Sequence, residues 1–405
     1  MSEERGAIRS IAWRHVFPSL RLFSAVRLAL NFKALLLAAI GTVGTVAGWR
    51  VLGQLFGDEQ SAAVSLEKSV AEVWPWERSL LAPSLDQLTS LEAWRTHSPL
   101  VIAWNEISLP FRQMYEAPSL TTFAYLLTCA LWALIVWSFF GGAITRLAAV
   151  AIARHENASL GELTRFVNSR LQGYFVAPLF PMLGTLLVGL LLAGLGLLLR
   201  IEYLAIVVAV VWPLVLLGGF VMAFLLIGLF FGFPLMWGAI STEGTDSFGA
   251  LSHSYSYVYQ RPLHYLAYGV MAALVGVLGW VLVTLFLEAI LALSAWGVSW
   301  GSGGERFQRL FGPEGTAEAA SAILGFWTNC LVTLAYGFVF SYFWTASTAI
   351  YFLLRRLVDA TELDEIFMPG ESEQHGLPSL KTGADGVPTV TDEPAMAGKD
   401  APSTS

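Results

Sequence analysis

STEGTDSFGALSHSYSYVYQRPLH, Ser241 to His264, interrupts two of the longest apolar runs of a 405-residue chain. Its serines, tyrosines and histidines invite an active-site reading, while its position invites another, an elbow that turns the chain at a membrane face. A second stretch of the same chain favours the elbow. Ser159-Leu160-Gly161-Glu162-Leu163-Thr164 matches Ser247-Phe248-Gly249-Ala250-Leu251-Ser252 at a constant offset, and Gln172 stays in register with Gln260. Upstream, Phe139-Phe140-Gly141 is echoed by Phe230-Phe231-Gly232. The repeated unit is span, elbow, span, with copies over residues 122–199 and 204–290 running in the same sense, a parallel internal repeat.

Periodicity makes each elbow an amphipathic helix. Leu160, Leu163, Val167, Leu171 and Tyr174 share one face in the first copy, and Phe248, Leu251, Tyr255, Val258 and Tyr259 in the second. Ser159 with Glu162 three residues on is a capping box, and Asp246 or Ser247 can cap the second helix. Pro262 suits the first turn of the span that follows. The wet faces supply the candidate interfacial or partner-binding residues: Arg165 in the first copy, and Asp246, Ser247, His253, Gln260 and Arg261 in the second.

Composition agrees with a membrane address. The chain is 56% hydrophobic and 13% charged, against about 25% charged in ordinary soluble domains. Runs of the roughly 20 apolar residues a crossing needs occur at Leu35–Leu52, Thr122–Ala143, Tyr174–Leu199, Leu204–Leu229, Tyr265–Leu287 and Ala322–Leu354. The expected fold is thus all-α, a polytopic six-span transmembrane bundle. The fourth run continues apolar to Ile240 and is expected to bend at Pro234. Cations cluster before the first span, between the second and third, and after the sixth (Arg355, Arg356), which predicts both termini in the cytoplasm.

Three further regions complete the plan. Residues 1–33 read as a basic amphipathic cytoplasmic segment, with Ile11, Phe17, Leu20, Phe23 and Leu30 as an interfacial face ahead of an uncleaved first anchor. Within the membrane domain, 34–354, residues 53–118 form an outward loop whose Trp74, Trp76, Trp94 and Trp104 predict helices lying on the outer leaflet. Residues 355–405 read as an acidic disordered cytoplasmic tail: Thr361–Ser405 holds nine acidic residues against Lys381 and Lys399. With a net charge of −7 the chain is not expected to bind nucleic acid.

Catalytic motifs are weak. Gly297-Val298-Ser299-Trp300-Gly301 has the GxSxG form, but follows a span in a Gly- and Ser-rich stretch read as a loop, not the strand-turn-helix that holds such a serine. The six histidines are scattered, Cys129 and Cys330 lie in apolar runs, and no metal or cofactor site is expected. Glu288, embedded in an apolar run, falls near the outer interface. Gly44 with Gly48 and Gly228 with Gly232 are GxxxG pairs, read as packing within the bundle.

Glu243, Gly244, Asp246, Ser247, Ala250, Leu251, Ser254 and Tyr257, in the pattern EGxDSFxALxxSxxYV, resemble a broad group of uncharacterised bacterial multi-pass proteins. They look like the membrane domain that accompanies some glycerophosphodiester phosphodiesterases. The resemblance covers one elbow and implies a bacterial inner-membrane address and a helical architecture; that domain is not the hydrolase. The functional expectation is a non-enzymatic, membrane-organising bundle that binds lipid or a membrane-protein partner, or forms a homo-oligomer. The alternative is a transporter or permease-like component for a small or amphipathic solute.

Overall fold

The computed structural model describes residues 22–56, 76, 80, 96–114, 119–201, 203, 205–311, 318–369, 380–382 and 388–390. The helices are Leu22–Ala29 (α1), Phe32–Phe56 (α2), Pro99–Met114 (α3), Leu120–Ala153 (α4), Leu160–Leu198 (α5), Ala205–Val210 (α6), Trp212–Glu243 (α7), Ser247–Gln260 (α8), Pro262–Ser302 (α9), Gly304–Phe311 (α10) and Glu318–Val358 (α11). Six of them, α2, α4, α5, α7, α9 and α11, are long and apolar enough to cross a membrane. The all-α, six-span reading therefore holds for the unit up to Ile366. The unit from Phe367 onward contains an antiparallel ladder of Leu380–Thr382 (β1) and Pro388–Val390 (β2), with Lys381 opposite Thr389. A tail expected to lack structure thus pairs two short strands.

Local chemistry sets the ends. Ser159 accepts from the Glu162 amide (3.3 Å) while the Glu162 carboxylate accepts from the Ser159 amide (2.8 Å), the full capping box. Asp246 caps α8 by accepting from the Gly249 amide at 2.9 Å. Gly244 ends α7 in the left-handed region, φ 61°, where a β-carbon is disfavoured. The two elbows then diverge. Pro262 lacks an amide hydrogen, and with Arg261 at φ −133° the chain breaks there into α8 and α9. Tyr174 holds the matching place in the first copy, so elbow and span fuse into the single 39-residue α5.

The core is concentrated at one end of the bundle, which we call the elbow end. Buried positions cluster in the carboxyl-terminal parts of α4, α7 and α11. Trp237 and Trp344 stack with centroids 4.4 Å apart, and Trp137 stacks on Phe340 at 4.3 Å. Gly141 lies directly against this group: a β-carbon there would meet Trp237 at 2.5 Å and Trp344 at 2.9 Å. Gly232, its counterpart in the second copy, is as tight, with Ser254 Oγ donating to its carbonyl at 2.6 Å. The GxxxG pairs also serve as seats. Trp132 lies on Gly48 and donates to the Gly44 carbonyl at 3.0 Å, and the Tyr255 ring lies on Gly228.

At the far end the helices are largely uncovered by the rest of the chain. Leu186, Leu187, Leu190 and Leu191 on α5, and Leu214, Leu217 and Phe220 on α7, are exposed. Along this stretch α5 and α7 touch each other, Gly184 facing Leu225 and Gly218 facing Leu192.

Five expectations need correction. The α1 helix is not merely interfacial: Leu22, Ala25 and Ala29 are fully buried, and Ser341 Oγ donates to the Ala29 carbonyl at 2.8 Å. Phe23 and Leu30 lie on its exposed side, while Ile11, Phe17 and Leu20 fall outside the described residues. Second, α3 does not lie on the surface. It packs against α4, α9 and α11, and the Trp104 ring sits 4.6 Å from Phe230; Trp74 and Trp94 fall outside the described residues. Third, the fourth apolar run also breaks at Val211, ahead of Pro213, while at Pro234 the helical assignment continues without a break. Fourth, Gly297–Gly301 is helical within α9, and Ser299 donates its hydroxyl to the Trp296 carbonyl at 2.7 Å. Fifth, the buried face of α8 is Ala250, Ser254, Tyr257 and Val258, with Phe248 exposed.

Candidate functional site

Polar residues gather in two clusters at the elbow end. The first joins α4, α5 and α7. Arg146 is 3% exposed, and its Nη1 donates to the Ser241 carbonyl at 2.6 Å while the guanidinium lies 4.0 Å over the Phe166 ring. Ser241 belongs to the last turn of α7, whose carbonyls lack helical partners and favour a cation. The Ser241 hydroxyl is shared by Thr145 Oγ1 at 2.6 Å and Tyr174 Oη at 2.7 Å. Trp237 Nε1 donates to the Tyr174 carbonyl at 2.9 Å, tying the cluster to the tryptophan stack. A buried cation is tolerable only when hydrogen-bonded, and here three helices converge on it.

The second cluster joins α7, α8 and α11. Glu243 is the last residue of α7, where the helix dipole opposes an acid. Arg355 Nε lies 3.0 Å from its carboxylate and offsets that cost, and the Tyr351 hydroxyl donates to it. His253 Nε2 approaches the same carboxylate at 3.5 Å. Tyr257 donates to Asp359, with its ring 5.5 Å from that of Tyr351. Burial pushes the Tyr257 phenol well above its ordinary range, and the Asp359 carboxylate adds to the rise, so it stays a donor. Arg355 Nη1 also donates to the Glu365 carbonyl at 2.7 Å, drawing the segment after α11 back onto the bundle.

A third feature lies away from the elbows. Glu106 on α3 accepts from the hydroxyl of Tyr336, a residue 1% exposed near the middle of α11. Beside the pair is a cavity of about 10 Å³ lined by Thr42, Thr45, Trp137 and Phe340. An acid carried into a membrane bundle is a functional candidate by default.

No family model, curated protein or solved structure matches the chain.

Of the residues singled out from the sequence, the structure brings His253 into a cluster. Asp246 and Ser247 open α8, the first as its cap. Gln260 donates to Ser256 Oγ at 2.7 Å on the exposed side, Arg261 is the exposed joint between α8 and α9, and Arg165 is exposed on α5. Glu288 lies half-buried far along α9, away from both clusters. Missed were Arg146, Glu243 and Arg355 as a buried polar base, and Glu106 altogether. Arg146 did carry a signal: Gly141–Ile144 before it and Leu147–Ile152 after it are small or apolar apart from Thr145. Among the described residues no group of three or more His, Cys, Asp or Glu could hold a metal ion.

Proposed function

We propose that this chain is a non-enzymatic bundle of a bacterial inner membrane, both termini in the cytoplasm, that organises lipid or a protein partner. The observation that carries this reading is the contrast between its two ends. A base knit by tryptophans and two polar clusters supports far-end helices that the chain leaves bare; 6% of the most apolar window of α7 is covered. Gly194 and Gly196 on α5 and Gly219 on α7 have open space where a β-carbon would stand, a surface on which another helix could approach closely. The elbow's resemblance to membrane domains that accompany a separate hydrolase supports the same role.

The test is a photo-crosslinking residue at Leu187 or Phe220, followed by mild-detergent purification. A discrete protein or lipid adduct at these positions, absent with the crosslinker at buried Leu163, is the expected result. Adducts indifferent to position would sink the reading.

A second reading, a transporter of a small solute or proton, is favoured by one observation, the Glu106–Tyr336 pair inside the bundle. The two cavities described, beside Glu106 and at the elbow end, are not lined by both repeat copies, which weighs against it. Under this reading, proteoliposomes of the wild type discharge an imposed pH gradient about tenfold faster than Glu106→Gln, a barrier difference of ~1.4 kcal/mol. Equal rates would dismiss it.

A further inference from the structure

The larger cavity opens at the elbow end, between α1, the ends of α4 and α11, and the segment after α11. It measures about 570 Å³, within the range of pockets that enclose a small organic ligand. One wall is a strap. Leu363 and Ile366 pack on Phe352, Ala149 and Ala153, and the Glu365 carbonyl is held by Arg355. The pocket therefore has an apolar floor, where Ile152, Phe352 and Leu363 lie together.

Its rim carries Arg27 and Arg356 as cations and Glu362 and Asp364 as anions. None of the four enters the ion pairs or hydrogen bonds that tie the neighbouring Arg355 and Glu243. Arg27, Glu362 and Asp364 are exposed and Arg356 is half-buried, and among the described residues these charges of both signs line the same cavity without pairing with one another. The carboxyl ends of α4 and α11 reach the pocket through Ala153 and Arg356, and their last carbonyls add a preference for a cation. His155 and Ala360, which follow those helix ends, hold φ of 57° and 54°, places where glycine is usual.

We infer that this pocket binds a zwitterionic amphiphile through a phosphate–ammonium head, the chemistry of a phosphoethanolamine head group. Arg27 and Arg356 take the phosphate, guanidinium being suited to its oxygens. Glu362, Asp364 and the helix-end carbonyls take the ammonium. The apolar floor takes the glycerol and the start of the acyl chains. A purely anionic head would leave both carboxylates unmatched, so the balance of charge selects against it. This deepens the lipid-binding reading above and rests on it, naming the lipid class.

The experiment uses the full-length protein in detergent, with phosphatidylethanolamine and phosphatidylglycerol added at equal concentration and adducts counted by native mass spectrometry. The wild type is expected to retain phosphatidylethanolamine about tenfold over phosphatidylglycerol. Arg27→Gln with Arg356→Gln loses the phosphatidylethanolamine adduct, and Glu362→Gln with Asp364→Asn reverses the preference. Equal retention by the wild type overturns the proposal and needs no variant to fold. An unchanged preference in both double variants, melting as the wild type does, overturns it as well. Soluble phosphoethanolamine separates the two sources of this head group. Displacement of bound lipid by it supports the lipid site; an adduct of the soluble compound without any lipid adduct overturns the lipid assignment. Position-specific crosslinking at Phe220 that survives equal lipid retention would show that the pocket failed and the bundle reading did not.

Discussion

Gly141→Ala is expected to lower stability by about 2 kcal/mol, within the range for overpacking a filled core, and Gly141→Leu to leave little folded protein. Alanine is ordinarily better than glycine inside a helix, by roughly 0.5–1 kcal/mol, so the sign of the effect is itself informative. At this position the added β-carbon would sit 2.5 Å from the Trp237 ring and 2.9 Å from that of Trp344. Both rings are fully buried and stacked on each other, so neither can swing aside. Gly194→Ala on α5, where nothing stands near the added carbon, is the control and should be neutral or stabilising. Thermal unfolding in micelles, followed by tryptophan fluorescence, makes the comparison. A Gly141→Ala protein that melts at or above the wild type would show that the aromatic stack is not tightly packed.

The second large effect is expected at Arg146. Arg146→Ala should cost about 2–4 kcal/mol, combining a buried carbonyl left without its donor with the space vacated by the side chain. The unpaired group is the Ser241 carbonyl, and the lost packing is that over Phe166. Arg146→Lys keeps the charge but has no plane to lay on the ring, so it should recover only part of the loss. Arg146→Met removes the charge together with its desolvation cost and should fall between the wild type and alanine. Because Ser241 also receives Thr145 and Tyr174, the alanine change should couple to Tyr174→Phe rather than add to it. Denaturation of the four proteins under one set of conditions tests the order. An alanine variant as stable as the wild type would mean that the cation is not structural.

What the sequence carried well was local. Six apolar runs, the capping box at Ser159, the Asp246 cap and the break at Pro262 each depend on neighbours within a few residues, and each is found. The contact faces were harder. A helix beside a membrane has two apolar neighbours, lipid and protein, and periodicity separates wet from dry without separating these two. Phe248, the most apolar residue of its elbow, is accordingly exposed, whereas Ser254 and Tyr257 are buried because specific partners receive their hydroxyls. The α3 helix was misplaced for a related reason. Trp104 reads in the sequence as an interfacial anchor, whereas its ring packs on Phe230 and Glu106 meets Tyr336, 230 residues away in sequence. Arg146 is one of the cations between the second and third apolar runs, just past the run that ends at Ala143, yet the helix continues through it to Ala153.

The glycine at position 232 marks a boundary that substitution would make visible. Before it, from Trp212 to Phe231, most side chains of α7 are exposed, and exchange of one aliphatic residue for another at those exposed positions alters little of the internal fit, the contacts with α5, Tyr255 and Trp104 apart. After it, from Phe233 to Thr242, every residue is enclosed by its own fold. A single helix is therefore written under two rules, permissive spelling in its first part and fixed spelling in its last. Variation among descendants of this sequence would stop abruptly along α7, within one turn, with nothing in its hydropathy to announce the change.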